Sequence, residues 1–446
     1  MATIQLISLV IFLVTIGLII WGKIDRAVIG IIGVVVMVFS GTMTEIEAIS
    51  FVDWNVIAIL FGIWIISGYF EKSGIPQYLA ISMLRISRHN IALFLVFIGV
   101  LSGFISMLVD NVVVILMMAP VVLHITKKIK LPSFPFLIYL GLCANFMGTA
   151  LLLGDMPPQM LHSVSGIEFP EFIWHMGRPS SFIILTITFL LTNFFFYQFR
   201  FRKMFTGSNI DSAALHEMTT VNPSQYINNR KFAFIGLGVF LATILAMCFR
   251  QLIGLPLGFI AISGMIALVL IMESFPKKLD SPGFEEVLDN LDMRTLLFYI
   301  VLFALVGGIN HVGIIKMVAD AMASYIQSNF ILGTTTVYWG TALIVGIVEH
   351  DAFILAMLYL IRDFAASTTI TPWPLWWAVL WAGTLGSNLT IAGAPALFVA
   401  QNICEREDSC KVDLRQFLSY TIPFVLVTLL ICYALMLVIW VIPFAF

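Results

Sequence analysis

The chain alternates long apolar runs with short polar stretches, and few of the runs are interrupted by a charge. The runs 4–21, 27–43, 54–70, 134–164, 179–199, 230–249, 255–272, 293–310, 373–403 and 418–441 each reach the roughly 17 residues that a helix needs to cross a bilayer. Two further stretches, 90–126 and 332–366, are long enough for a helical hairpin each and carry acidic residues near the middle. The runs 134–164 and 373–403 exceed one simple span and hold Gly and Pro near their centres. That pattern predicts a broken helix with an unwound middle. Residues 75–87 and 314–326 read as amphipathic helices lying at the two surfaces. Residues 206–229 are polar and read as a connector.

Composition turns this pattern into a class. Hydrophobic residues make up 60% of the 446 positions and charged residues 11%, against roughly 45–50% and about 25% in soluble proteins. The chain therefore reads as an all-α polytopic membrane protein with the lipid bilayer as its surroundings. The net charge of -2 and the lack of a basic tract give no reason to expect a nucleic-acid partner. The five cysteines lack regular spacing, so Cys404 and Cys410, in CEREDSC, are read as incidental thiols. The first run has no basic residues before Ile4 and no clear cleavage site, so it reads as a span and not as a removed signal.

Charge orients the spans. With the loop after residue 199 in the cytoplasm, all of the 23 Lys and Arg residues fall inside except Arg178, Arg250, Lys316 and Arg362, a strong positive-inside bias. The scheme has ten crossings and both termini outside. It divides the chain into an N-terminal half (1–199), a cytoplasmic connector (200–229) and a C-terminal half (230–446), in a prokaryotic inner membrane or a specialised internal membrane derived from it.

The two halves resemble each other at a spacing near 239. FVDWNVIAILFGIWIISGYFEKSGI from Phe51 matches LDMRTLLFYIVLFALVGGINHVGI from Leu291, pairing Asp53 with Asp292, Gly68 with Gly307 and Gly74 with Gly313. ISMLVDNVVVILMMAP (105–120) matches IVGIVEHDAFILAMLY (344–359), pairing Asp110 with Glu349 and Asn111 with His350. One residue is then dropped, so that MGTALLLGDMP (147–157) meets LGSNLTIAGAP (385–395), with Gly148 opposite Gly386 and Pro157 opposite Pro395. The charges give the two repeats opposite membrane orientation, so one hairpin dips in from each side. Inverted repeats with two re-entrant hairpins and two broken helices are an architecture of secondary transporters.

The same segments hold the candidate chemistry. Asp110 lies in an apolar hairpin, where an unpaired carboxylate is costly, so it binds a cation, pairs, or holds a proton. With Asn111 and Asn388 it is a possible sodium site. Glu349, His350 and Asp351 form the second tip. Asn145, Thr149 and Asp155 surround the first break, with Gly148, Gly154 and Pro157 permitting the unwinding. Ser387, Asn388 and Thr390 surround the second, with Gly386, Gly393 and Pro395. The competing reading has the tips reaching interfacial water and the hydroxyls and amides merely joining helices. Trp373, Trp376, Trp377 and Trp381 fit an interfacial belt and helix packing. Arg362 and Asp363 read as a pair. No phosphate-binding loop, nucleophile elbow or zinc signature is present, so no enzyme activity and no cofactor beyond coupling ions is expected.

DNVVVILMMAP (110–120), NFMGTALLLGDMPP (145–158) and GSNLTIAGAP (386–395) resemble segments of the ion transporter superfamily, over nearly the whole chain. That group holds arsenite-antimonite efflux permeases, NhaD-type sodium/proton antiporters, P-protein relatives and citrate permeases. The resemblance implies roles around a central site for Asp110, Asn111, Asn145, Thr149, Asp155, Asn388 and Thr390, and it leaves a homodimer open. Met147, Leu151, Pro158, Ser387 and Leu397 depart from the group's pattern, and the second tip is more charged than in relatives. Lost neutral ligands and gained ionisable groups favour proton-coupled exchange of a small inorganic cation such as sodium. A metalloid or arsenite exporter, a citrate-like permease, and a membrane scaffold that has lost transport are the alternatives.

Overall fold

The computed structural model describes residues 3–88, 90–205, 215–216, 220, 222–227, 229–391, 393–407 and 413–445. Cys410 and most of the 206–229 connector lie outside them. The first half forms α1 (Thr3–Trp21), α2 (Arg26–Phe39), α3 (Trp54–Lys72), α4 (Ile75–Ile86), α5 (Ile91–Ser106), α6 (Asn111–Lys128), α7 (Phe134–Gly148), α8 (Met156–Ser165) and α9 (Ser181–Phe196). The second forms α10 (Arg230–Cys248), α11 (Leu257–Ser274), α12 (Met293–His311), α13 (Ile314–Ser328), α14 (Phe330–Val345), α15 (His350–Ser367), α16 (Trp373–Ser387), α17 (Pro395–Glu407) and α18 (Leu414–Met436). A two-stranded antiparallel hairpin, β1 (Trp174–His175) and β2 (Arg178–Pro179), follows α8. Among the described residues, eight helices are long and apolar enough to cross a membrane.

The helix starts show why the halves match. Asp53 accepts hydrogen bonds from the Asn55 and Val56 amides, and Asp292 from that of Thr295. Asn90 caps α5 through Leu93, and Asn329 caps α14 through Leu332. Asp110 caps α6 and Glu349 caps α15. Such caps satisfy amides that a helix end leaves free. Gly74 and Gly313 open α4 and α13 at φ 77° and 78°, a left-handed conformation that favours glycine. Each pair is separated by the same spacing.

That spacing persists through the breaks, which corrects the one-residue shift expected from sequence. α7 and α16 end at Gly148 and Ser387, and α8 and α17 start at Met156 and Pro395. Gly154 and Gly393 are equivalent. A Cβ on Gly154 would lie 2.1 Å from the Ser106 carbonyl oxygen and 2.5 Å from that of Gly148. A Cβ on Gly393 would lie 2.7 Å from the Val345 oxygen and 2.5 Å from that of Ser387. In both halves the end of a hairpin helix presses its backbone into the break, and only glycine leaves room. Matching by residue identity is drawn to Gly148 and Gly386 instead, whose neighbours differ.

The repeats run in opposite directions. Phe51, just before α3, packs on Gly307 and His311 at the end of α12. The other end of α3, at Lys72, pairs with Glu286, which precedes α12, at 3.2 Å. The flanking helices are exchanged: α2 packs on α12 of the other half, and α11 on α3. Small residues permit both approaches, Gly30 against Val301 and Gly62 against Ala261.

The outer surface identifies the solvent. In α1 the buried residues are Ser8 and Thr15, whereas Leu6, Val10 and Leu13 are 54%, 52% and 58% exposed. Ser8 meets the Thr42 hydroxyl at 2.8 Å. A helix that turns hydroxyls inward and leucines outward is built for lipid.

Gly154→Ala and Gly393→Ala are each expected to destabilise the protein by about 1–3 kcal/mol through overpacking. Gly236→Ala, where a Cβ would meet nothing within 4 Å, is expected to leave stability unchanged or slightly raised. Melting temperatures of the three variants in detergent check this.

Candidate functional site

Each break leaves backbone groups without helical partners, and polar side chains gather there. Asn111, on the first turn of α6, donates from Nδ2 to Asn145 Oδ1 at 2.9 Å and to Asp155 Oδ2 at 3.0 Å. Asn145, near the end of α7, donates across to the second half. Its Nδ2 reaches Asn388 Oδ1 and Ser387 Oγ, each at 3.1 Å, and the Thr384 carbonyl at 3.3 Å. The Thr149 and Thr384 hydroxyls meet at 2.6 Å. Asn145, Thr149, Ser387 and Asn388 are fully buried.

These contacts define a pseudo-twofold axis. Moving each residue by 239 turns the Thr149–Thr384 contact into Asn388–Asn145, which also exists. The Asn145–Thr384 contact maps onto itself, so the axis passes there. Two hydroxyls from the last helix of each half complete the breaks: Ser181 donates to the Thr149 carbonyl at 2.9 Å and Thr421 to that of Leu389 at 3.0 Å. Thr390 ties the second break to its hairpin through the Gly346 carbonyl at 2.7 Å. Thr384 was missed in the sequence because the one-residue shift set Gly383, not Thr384, opposite Asn145.

A narrow cavity reaches this centre. Its inner end is lined by Asp110, Asn111, Asp155, Tyr299, His350 and Pro395, and its outer end by Glu71, Lys72, Asn290 and Asp292. Lys72, Asn290 and Asp292 are exposed, so the cavity opens at that end. The cavity does not reach the opposite end. Ser163 donates to Asp53, and Arg250 grips Glu168 with two hydrogen bonds, one of them from Nε at 2.7 Å. Asp110 accepts from the Val112 and Val113 amides, and Asp155 from that of Met156.

The second tip is arranged differently. Glu349 Oε2 accepts from the Ala352 amide at 3.0 Å. Its Oε1, both ring nitrogens of His350 and both carboxylate oxygens of Asp351 are buried without a hydrogen-bond partner. Of these three residues His350 alone borders the cavity. Asp110, Asn111 and Asn388 do not form a closed trio, because Asn145 stands between Asn111 and Asn388. Tyr299 and Asp292 join the cavity wall, although sequence assigned them no site role. Trp377 and Trp381 are fully buried and stacked at 5.2 Å, so they serve packing and not a surface belt. Arg362 and Asp363 are paired at 3.0 Å.

Two opposed repeats whose hairpins and broken helices close around one central cavity define a multi-pass membrane protein of the secondary transporter class. A model of the citrate transporter family, CitMHS, matches residues 16–382, and the chain belongs to that family. An uncharacterized transporter of Mycobacterium tuberculosis is 23% identical over 416 residues, 90% of this chain and 91% of its own. One of Synechocystis is 22% identical over 444 residues, 96% and 95% of the two chains. The human P protein is 23% identical over 430 residues, 81% of this chain and 50% of its own length. Among solved structures, the Alcanivorax borkumensis YdaH transporter matches with TM-score 0.53 at 13% identity, over 98% of each chain. Neisseria gonorrhoeae MtrF, described as illuminating a class of antimetabolite efflux pumps, matches with TM-score 0.56 at 12% identity, over 91% of this chain and 84% of its own. Both likenesses are of fold.

Asn145→Ala leaves partners in both halves unsatisfied, at about 1–3 kcal/mol for each buried polar group. It is expected to lower the melting temperature more than Thr149→Val, which removes one contact between hydroxyls.

Proposed function

We propose that this transporter exchanges a small monovalent cation, sodium in the first instance, for protons by alternating access. One observation carries the reading: of the four helix starts at the tips and breaks, three are already occupied by carboxylates. A free helix N-terminus attracts an anion. Here Asp110 caps α6, Asp155 caps α8 and Glu349 caps α15. The cavity wall adds Asp292 and Glu71; among the described residues it holds one Lys or Arg, Lys72, with Arg26 bonded to Thr295 of the wall. A cation finds ligands in that wall, and a polycarboxylate finds like charge. A carboxylate that has released its cation can hold a proton instead, which couples cation release to proton uptake.

The inverted repeats supply the alternate state. The Asp53–Ser163 contact shuts one side. The equivalent pair on the other side is Asp292 and Asn402, and Asp292 lies in the open cavity wall. Exchanging the conformations of the two halves closes the second pair and opens the first. The hairpins then act as re-entrant elements whose tips remain at the centre.

A second reading, a carboxylate permease, is favoured by the family description and by α17. The residue preceding that helix is Ala394, so its N-terminus carries no carboxylate cap and borders the cavity at Pro395.

In sealed vesicles with an imposed proton gradient, added sodium is expected to dequench a pH-sensitive dye. Asp110→Asn or Asp155→Asn is expected to weaken the response on the order of tenfold or more, the consequence of losing about 1.4 kcal/mol of cation binding. Uptake of radiolabelled citrate without a sodium response would transfer the assignment to the second reading. Cross-linking adds a check: D53C/S163C is expected to link in the resting protein, and D292C/N402C to link only when cation and gradient drive the opposite state.

A further inference from the structure

The two hairpin tips occupy equivalent positions, yet one is complete and the other is not. Asn111 spends its amide on Asn145 and Asp155, both within the chain. His350 occupies the same place on α15, is 1% exposed, and has no hydrogen-bond partner at either ring nitrogen. Asp351 is fully buried with both oxygens unpartnered, and Glu349 leaves one oxygen so. The break opposite this tip has no acid, because the residue equivalent to Asp155 is Ala394.

A buried histidine without a hydrogen bond at either ring nitrogen, set between two buried carboxylates, calls for something the chain does not supply. A proton shared between the adjacent Glu349 and Asp351 side chains still leaves His350 without a hydrogen bond, since its Nε2 lies 3.3 Å from Asp351 Oδ1 without alignment. A single cation partners one atom of each residue, since one ligand atom from each of the three lies within 4.8 Å of the others. The donors identify the cation. Sodium, magnesium and calcium take oxygen ligands, whereas an imidazole with two carboxylates suits zinc, manganese, iron or cobalt in the divalent state. His350 borders the cavity and so provides a way in, and Tyr299 borders it beside Asp351.

We infer that Glu349, His350 and Asp351 form a binding site for one divalent transition-metal ion, set in the second hairpin tip and reached from the central cavity. The site goes beyond the exchange proposed above and shares the central cavity with Asp110 and Asp155, and its test reads metal binding and not exchange. By occupying the tip, the ion supplies the partners that Asn145 and Asp155 give to Asn111 at the first.

Untagged full-length protein in detergent, stripped with chelator and dialysed, is titrated with cobalt(II) and followed by its visible absorption, with zinc as competitor. One equivalent per chain is expected, displaced by zinc and unaffected by millimolar sodium or magnesium. His350→Gln and Asp351→Asn, which approximate the native volumes, are each expected to weaken binding at least tenfold. Glu349→Gln, which keeps an oxygen for the α15 cap, is expected to weaken it less. No stoichiometric cobalt binding by the wild type overturns the inference. So does binding that is unchanged in both His350→Gln and Asp351→Asn. If a variant fails to fold, paramagnetic relaxation of the His350 ring by manganese(II) in the wild type decides, and a ring left unbroadened counts against the site. Sodium-driven dye responses are recorded separately, so failure of exchange and failure of metal binding are told apart.

Discussion

A helix interrupted inside an apolar protein leaves amides and carbonyls that lipid cannot satisfy. The rest of this structure depends on how that constraint is met. The two breaks solve it jointly. Asn145 reaches from the first break into the second and bonds Asn388, Ser387 and the Thr384 carbonyl. Thr149 and Thr384 close the loop from the other direction. The polar centre is therefore a single network shared by the two halves. Hydroxyls of Ser181 and Thr421 seal what remains.

That shared network bears on function because it fixes the hairpin tips. Asn111 is held by the first break, which sets Asp110 and Asp155 at the end of an open cavity. The flanking helices cross between halves, so the frame around the centre is also shared. The glycines at 154 and 393 let hairpin backbone enter each break. A cavity open toward one side of an inverted repeat is in keeping with the secondary transporter class.

The halves are not copies in chemistry. The first tip carries an aspartate and an amide, and the chain completes it. The second carries glutamate, histidine and aspartate, and the chain does not. The backbone equivalence persists because caps and glycines set the helix geometry, while side chains at the tips are free to change.

Much of this was legible in the chain itself. The apolar runs, the two interrupted spans, the amphipathic pair at 75–87 and 314–326, and the 239-residue spacing all follow from patterns that lipid imposes on a sequence. So do the site candidates, because ionisable and amide groups in apolar stretches are costly and therefore conspicuous. Three things were decided only by tertiary structure. The register through the breaks depends on backbone contacts at Gly154 and Gly393, which residue identities do not report. The partnership of Asn145 with Thr384 spans 239 residues, and no local pattern encodes it. Which tip is satisfied and which lacks partners depends on what lies opposite each in space, and a sequence states that nowhere.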